Sequence, residues 1–337
     1  VDDSVYAKQV ANYFNFNHKE IIIEPQIIDL LPKLIYHLEE LTIDPAAINT
    51  FLISKAAKDS GITVLLSGIG ADEIFSGYRI HHVLNNIEKY KLLTNNKTTK
   101  RIAGILSKLP IKNRLISKKY TRWIKKIFYL ISLDNHTRHI LAKDSSLSTS
   151  LHSRLFNKDF EYSRLNHIQR EYSLFYDSHN YSYLNKLCLS DASIYLPDHN
   201  LQYLDKASMA AGIEARPPLI DKRIVEFAFK LSDNQKIKHN IQKYLIKKVA
   251  KKYLKSNIIN RPKAPFAAPL RSWLENDLKE MIFDTLTSKK TMEREIFNIG
   301  TVNFILDNHY KGKEDHSQLI FRLLMTEIWF NTFIDKN

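Results

Sequence analysis

The chain has 337 residues, of which 44% are hydrophobic and 26% charged, and its formal net charge at pH 7 is +14. This composition is typical of a packed globular protein with one or two domains. No N-terminal stretch of the sequence has the residue order of a signal peptide, and no apolar run approaches the ~20 residues that span a bilayer. The single cysteine, Cys188, excludes an intramolecular disulfide and a multi-cysteine metal site, which is typical of a cytoplasmic protein.

Residues 1–84 alternate helical and strand patterns. We expect Pro32 to kink or restart a helix, and Gly61 to cap the helix before it. The predicted elements, in order, are a helix at 6–14, a short buried strand at 21–23, a helix from Pro25, a loop at 42–45, a helix at 46–58 and a buried strand at 62–66. This order predicts an α/β fold whose parallel sheet has crossover helices.

The turn at residues 67–70, Ser-Gly-Ile-Gly, follows the second strand, and a helix restarts near Ala71. Its glycines allow a sharp bend and a close approach to a ligand, and a helix N-terminus suits phosphate. Asp72 and Glu73 fall in the first helical turn, where they stabilise the helix start or hold Mg²⁺ against a polyphosphate. Ligands of parallel sheets bind at the carboxyl ends of strands, so the turn is either a nucleotide site or a plain capped turn.

Residues 85–182 predict a basic helical insertion, with a mobile stretch near 145–153 where serines cluster. Between residues 85 and 130 there are ten lysines and three arginines but one acidic residue, Glu88. Such a patch attracts an acidic partner, an anionic glycan, nucleic acid or a membrane surface, or it is only a solvated helical face. No aromatic-rich nucleic-acid motif accompanies it.

Residues 183–337 are mostly helical, with two irregular turns at 212–221 and 261–269. In the first turn, burial of Glu214, Arg216 and Asp221 would require an ion-paired network, with a structural or a catalytic role. In the second, three prolines stiffen a loop from which Lys263 could present a point charge to a phosphate. Helices are predicted at 183–195, 198–211, 222–231, 241–253, 270–285 and 318–333.

Three short patterns occur in a fixed order along the chain. Residues 67–78 match S-G-x-G-[AGS]-D-E-[LIV]-F-x-G-Y. The second, L-x-x-x-D-x-x-[ST]-M-x-x-G-x-E-x-R-x-P-[FL]-[LI]-D, is matched by Leu201, Asp205, Ser208, Met209, Gly212, Glu214, Arg216, Pro218 and Asp221. The third, R-x-K-x-x-F-x-x-P and a tryptophan, is matched by Arg261, Lys263, Phe266, Pro269 and Trp273. Together they resemble the synthetase domain of glutamine-dependent asparagine synthetases.

The resemblance implies an ATP pyrophosphatase-like α/β fold and a carbon–nitrogen ligase that uses ATP and Mg²⁺. In that family a small-molecule carboxylate, aspartate or an analogue, attacks the α-phosphate of ATP, and ammonia from a glutaminase domain or subunit then displaces AMP. By position, Ser67 and Gly68 contact the nucleotide, with Ile69, Gly70 and Tyr78 beside them. The resemblance also implies that Asp72 helps to hold Mg²⁺ and that Lys263 neutralises the phosphates, a catalytic role.

Two departures from the family pattern affect the predicted function. The phosphate loop S-G-G-x-D-S and the N-terminal nucleophilic cysteine are absent, and Val1 stands first, so we expect a fragment of a longer protein or one piece of a split one. Ile69 stands where many members have a glutamate that handles the proton of the amine, so either another group, Glu73 or Glu214, takes that catalytic role or the amine acceptor chemistry differs. The alternatives are a glycan or peptide acceptor and an inactive subunit; a homodimer is also left open.

Overall fold

The computed structural model describes residues 4–20, 29–109, 118–134, 138–139, 142, 151, 154–157, 173–175, 177–178, 180–261 and 270–335. Within these ranges the chain is mostly helical and has one small parallel sheet. None of the helices in these ranges combines the length and apolarity that crossing a bilayer requires. The predicted strand at 21–23 and the predicted mobile stretch at 145–153 lie outside the described residues, apart from Leu151.

The elements up to the basic segment are α1 (Ser4–Phe14), α2 (Leu31–Leu38), α3 (Ala46–Asp59), β1 (Val64–Leu66), α4 (Ala71–Ile74), α5 (Arg79–Lys89), α6 (Lys91–Thr94), α7 (Lys97–Lys108) and α8 (Lys118–Ser132). The next are α9 (Tyr183–Ser190), a π-helix (Asp191–Leu201), α10 (Gln202–Ala210), β2 (Glu214–Arg216), a 3₁₀ turn (Pro218–Ile220) and α11 (Lys222–Lys230). The last are α12 (Asp233–Lys236), α13 (Tyr244–Ala250), α14 (Ser256–Ile259), α15 (Leu270–Glu275), α16 (Lys279–Leu286), α17 (Lys289–Glu293), α18 (Ile299–Tyr310) and α19 (Ser317–Phe333).

The residues at which α2 and α3 begin and end can be explained from the sequence. Pro32 lies in the first turn of α2, where its missing N–H costs nothing, so α2 begins at Leu31; residues 25–28 of the predicted preceding helix lie outside the described residues. The carboxylate of Asp44 accepts a hydrogen bond from the N–H of Ala46 at 2.8 Å and so helps α3 to begin. Gly61 has a left-handed φ of 79°, and its N–H donates to the carbonyl oxygen of Lys58, which ends α3.

The sheet joins two distant motifs. β1 and β2 run parallel, with Val64, Leu65 and Leu66 opposite Glu214, Ala215 and Arg216 respectively. A strand was predicted at 62–66, but not inside the second motif, whose charged residues indicated an irregular turn. The sheet therefore places the second motif directly beside the turn that follows β1.

The prediction that the strand at 62–66 is buried was wrong. The strand is shorter, and Val64 and Leu66 are 38% and 76% exposed. Both side chains project from one face, because alternate residues of a strand point the same way, and the described elements leave that face open. An apolar run alone cannot show which face of a short strand is covered.

The two helices predicted at 183–195 and 198–211 form one continuous helical segment, whose middle part is a π-helix rather than a break between two α-helices. α9 passes into the π-helix, which contains Pro197, and then into α10. Proline removes a backbone donor and clashes with the preceding turn of an α-helix, so the wider π-helical turns accommodate it. The helix predicted at 270–285 is two, α15 and α16, and that predicted at 241–253 is shorter.

The described residues form three buried hydrophobic clusters: two larger ones, and a small one of Ile74, Phe75, Ala228 and Leu231. The largest packs α2, the start of α3, α10, α15, α16 and α18 around α19, which is apolar on nearly all sides. The second includes Leu84 of α5, Leu130 of α8 and Leu184 of α9. This second cluster draws on all three predicted domains, 1–84, 85–182 and 183–337, and their boundaries stay predictions.

Candidate active site

The turn after β1 exposes a stretch of main chain. The N–H of Ser67 extends the sheet ladder by donating to the carbonyl oxygen of Arg216 at 2.9 Å. The hydroxyl oxygen of Ser67 accepts a hydrogen bond from the N–H of Ile69 at 3.3 Å, which fixes the turn from inside. Gly68 between them is exposed, and a Cβ there would meet no atom within 4 Å. The backbone at Gly68 is therefore open to a ligand.

The turn closes onto α4 through two positions that only glycine fits. Gly70 has a φ of 94°, and a Cβ at this residue would lie 2.0 Å from Cγ2 of Ile220. At Gly77, just after α4, a Cβ would lie 1.6 Å from Oδ1 of Asp72. The short helix is thus packed tightly at both ends, and this fixes where its two acidic side chains lie.

A cavity of about 1030 Å³ lies beyond the carboxyl end of β1. It is at the upper end of the ~300–1,000 Å³ range of small-molecule sites, and it is large enough for a nucleotide and a second substrate. Seven of the nine residues predicted for the site line it: Ser67, Gly68, Ile69, Gly70, Asp72, Glu73 and Tyr78. The sequence motif and the cavity therefore coincide.

Glu73 is the buried acid of this cavity, with 1% of its surface exposed. Its Oε1 accepts hydrogen bonds from the hydroxyl of Tyr78 at 2.5 Å and from Nδ2 of Asn200 at 2.6 Å. Burial raises the pKa of the Glu73 carboxyl, the carboxylates of Asp72 and Asp191 act in the same direction, and the Tyr78 hydrogen bond opposes them. A carboxyl with a raised pKa at a cavity wall is suited to proton transfer.

Asp72 is half-buried, and its Oδ1 lies 3.0 Å from Nζ of Lys243. Lys243 itself has a left-handed backbone at the start of α13, with φ of 52°. Within the described part of the chain, no group of three or more His, Cys, Asp or Glu side chains is arranged to hold a metal ion. The single carboxylate of Asp72 is enough for a Mg²⁺ ion that enters bound to a polyphosphate, because Mg²⁺ takes only one or two protein ligands in such sites.

Glu214 does not reach the cavity. It is exposed on β2, and its Oε1 accepts a hydrogen bond from Nε of Arg216 at 2.8 Å, which lowers the pKa of the Glu214 carboxyl. Only Ala215 of this strand lines the cavity. The predicted buried network of Glu214, Arg216 and Asp221 was wrong, since Asp221 instead pairs with Arg223 at the surface. Alternation along β2 turns both of its charged side chains to the open face.

Lys263, the predicted phosphate-binding lysine, lies outside the described residues, as does the rest of 262–269. Its role stays a prediction from the third motif. The described residues on either side are Arg261, whose guanidinium lies 6.0 Å from the ring of Tyr6, and Leu270, which lines the cavity.

The π-helix supplies cavity residues that sequence analysis missed. Asn200 reaches Glu73, as described above, and its Oδ1 lies 2.9 Å from Nδ1 of His199. Nε2 of His199 lies 3.4 Å from the carboxylate of Asp44, at the end of the loop before α3. A chain of polar contacts therefore joins Glu73 to Asp44 along one wall. His199 and Asn200 stand directly before Leu201, the first residue of the second motif. This position beside the motif was the sequence signal that could have identified them.

The C-terminal helix also contributes to the cavity. Gln318 and Arg322 of α19 line its far wall. These residues have no motif around them, and α19 is apolar almost all round, so its sequence is that of a buried helix rather than of a site. The packing of α19 against α2 and α15 brings its two polar residues to the cavity.

A protein-family comparison fits this arrangement of motifs around one cavity. The model of the asparagine synthase family matches residues 1–331, so the chain belongs to that family. Within it, the chain is 27% identical over 333 residues to the glutamine-hydrolysing asparagine synthetase 1 of Bacillus subtilis, covering 98% of this chain and 50% of that protein.

Other relatives give the same picture. A putative glutamine-hydrolysing asparagine synthetase of Mycobacterium tuberculosis is 25% identical over 321 residues, which cover 94% of this chain and 46% of that protein. In Arabidopsis thaliana, the glutamine-hydrolysing asparagine synthetase 1 is 29% identical over 198 residues, 53% of this chain and 32% of that protein. The chain thus spans about half the length of the first two relatives.

Proposed function

We propose that this chain is the synthetase part of a glutamine-dependent amide-forming ligase, which adenylates a carboxylate with ATP and then transfers ammonia to it. The observation that supports this most directly is the coincidence of the first family motif with the wall of the cavity. Seven of its predicted contact residues meet there, at the carboxyl end of a parallel strand, where nucleotides bind in open α/β sheets.

In the first half-reaction an oxygen of the acceptor carboxylate attacks the α-phosphorus of ATP, and pyrophosphate leaves. The main chain at Ser67 and Gly68 binds the nucleotide. Asp72 would hold the Mg²⁺ that accompanies the phosphates, and Lys243, whose Nζ lies 3.0 Å from Oδ1 of Asp72, adds positive charge at the same place. Lys263 neutralises the charge that develops on the leaving pyrophosphate. When bound, Mg²⁺ supplies charge stabilisation to the phosphates.

In the second half-reaction ammonia attacks the acyl carbon of the adenylate, loses a proton, and AMP leaves. Ile69 lines the cavity but cannot accept a proton. Of the two predicted substitutes, Glu73 faces the cavity and Glu214 does not. We assign the proton to Glu73, whose hydrogen bonds from Tyr78 and Asn200 hold its carboxyl in place.

The ammonia comes from a glutaminase domain or subunit, as the names of the relatives suggest, and the acceptor is aspartate. Ile69 favours a second candidate, an acceptor other than aspartate, such as a carboxylate on a glycan or peptide. With isoleucine in place of glutamate, this part of the cavity wall is apolar and offers no group that can take a proton. A different substrate carboxylate would suit such a wall. Formation of free asparagine from aspartate would distinguish the two.

The experiment is pyrophosphate exchange into ATP by the full natural polypeptide, with Mg²⁺ and a panel of carboxylates. We expect Asp72→Asn and Lys263→Ala each to lower exchange roughly 10²- to 10³-fold, the usual effect of removing a group that stabilises transition-state charge. Asp307→Asn and Lys313→Ala are matched controls at exposed positions outside the cavity and should leave exchange unchanged. Full exchange in the Asp72 and Lys263 variants would contradict the assignment.

A further inference from the structure

The basic segment formed by α6, α7 and α8 has no part in the function proposed above. None of its described residues lines the cavity, and its helix α8 packs into the second buried cluster through Leu130. Glu88, the one acidic residue in the sequence from 85 to 130, is paired with Lys91 at 3.2 Å. The thirteen basic side chains between residues 85 and 130 therefore produce a positive electrostatic field, and no other acidic residue within that stretch offsets it.

The same segment exposes large aliphatic side chains. Leu92 and Leu93 of α6 are 90% and 69% exposed. On α7, Ala103 is buried against α8, whereas Ile102 and Ile105 are 52% and 56% exposed. Ile102 and Ile105 are three residues apart, so they form an apolar stripe on a helix face that points away from α8.

Basic and apolar side chains alternate around this stripe. Arg101 and Lys108 are exposed and seven residues apart, two helical turns along the same side of α7 as Ile102 and Ile105. A polyanion such as nucleic acid or an acidic glycan uses the charges but leaves the aliphatic side chains in water. An anionic lipid surface uses both, since it attracts the charges and takes up the apolar side chains below the headgroups.

We propose that α6 and α7 form a docking surface for an anionic lipid membrane. α7 has 12 residues and is too short to span the bilayer, so it lies along the membrane surface with Leu92, Leu93, Ile102 and Ile105 inserted. The described lining of the cavity comes from other elements.

The test is sedimentation of the full natural polypeptide with vesicles of phosphatidylcholine alone or mixed with phosphatidylglycerol. We expect binding only to the mixed vesicles, and release as salt is raised. Lys97→Gln with Arg101→Gln and Lys108→Gln should lower the partition coefficient on the order of 100-fold, at about fivefold per charge. Leu92→Ser with Leu93→Ser should lower it at least about tenfold.

Matched controls change exposed residues outside α6 and α7. The charge control is the triple glutamine variant of Lys222, Lys289 and Lys313, and the apolar control is Val5→Ser with Ile334→Ser. Both should bind as the parent does, and circular dichroism should show that every variant is folded.

Three results would overturn the proposal. They are absence of vesicle binding, equal binding to uncharged vesicles, and binding that the leucine substitutions leave unchanged. Retention on a heparin matrix without vesicle binding, insensitive to the leucine substitutions, would assign a soluble polyanion instead. Vesicle-independent capture of an acidic protein through Leu92 and Leu93 would assign a protein partner.

Discussion

Two glutamates among the residues that the structure describes, Glu73 and Glu327, are almost fully buried, but their surroundings differ. Glu327 of α19 is fully buried and accepts hydrogen bonds from the hydroxyl of Thr291, at 2.8 Å, and from the guanidinium of Arg294. Glu73 accepts hydrogen bonds from two neutral groups and lines a cavity. A buried carboxylate that is paired with a cation holds helices together, whereas one held by neutral donors at a cavity wall is available for proton transfer.

The largest effect should come from removing the cation of the structural cluster. Arg294→Leu leaves Glu327 buried without its positive partner and also removes the ion pair with Asp335. We expect the free energy of unfolding to fall by about 3–5 kcal/mol, as measured by urea denaturation. Activity per folded molecule should not change, because Arg294, just after α17, does not line the cavity.

The double variant Arg294→Leu with Glu327→Leu is the control for this change. It replaces both charges by apolar side chains and should recover most of the lost stability. A single Arg294→Leu variant as stable as the parent would show that the cluster around Glu327 contributes little.

The next effect separates the two glutamates by function. Glu73→Gln keeps an oxygen for the hydrogen bonds from Tyr78 and Asn200, so folding should persist, but it cannot accept a proton. We expect amide formation to fall roughly 10²-fold or more while pyrophosphate exchange stays within a few-fold of the parent. Glu327→Gln is the matched control and should lower stability but not turnover per folded molecule. Amide formation at the parental rate by the Glu73 variant would remove its assigned role.

A smaller effect tests the hydrogen bond that tunes Glu73. The Tyr78 hydroxyl lowers the pKa of the Glu73 carboxyl, so Tyr78→Phe should raise that pKa further and move the acidic limb of the amide-formation profile to higher pH. Stability should fall by about 1–3 kcal/mol. Tyr310→Phe removes a comparable hydrogen bond, to the carbonyl oxygen of Leu274 at 3.0 Å, and should leave the pH profile in place. Equal profiles in the two variants would contradict the coupling.

The smallest effect is on the pH dependence of stability. The folded-state pKa of Glu73 is raised above the value of 4.5 expected for an unfolded chain, so the folded state holds this proton more tightly. Its contribution is fully present below pH 4.5 and is lost as pH rises through the folded-state pKa, by at most about 1.4 kcal/mol per pH unit. Urea midpoints measured over this range should therefore fall less steeply in Glu73→Gln than in the parent. Parallel curves would argue against the raised pKa.

Much of the first half of the chain was predictable because its signals are local. Pro32 in the first turn of α2, Gly61 at the end of α3 and the turn into α4 each depend on the backbone preferences of one or two residues. Burial was predicted less well, as Val64 and Leu66 show, because exposure depends on which elements cover a strand. The strand β2 was not predicted, because Glu214 and Arg216 are charged and indicated a surface turn. Pairing with β1 outweighs that local preference.

The sequence by itself determined the family, the candidate nucleotide turn and the acidic pair at Asp72 and Glu73, because these depend on residue type and spacing along one short segment. Only the tertiary structure decided which acids share the cavity. It brings Asn200, His199 and Asp44 to Glu73 and turns Glu214 away, and it adds Arg322 from the far end of the chain. Contacts between residues more than a hundred positions apart are set by the packing of helices and by the register of β1 on β2, and no local pattern encodes them.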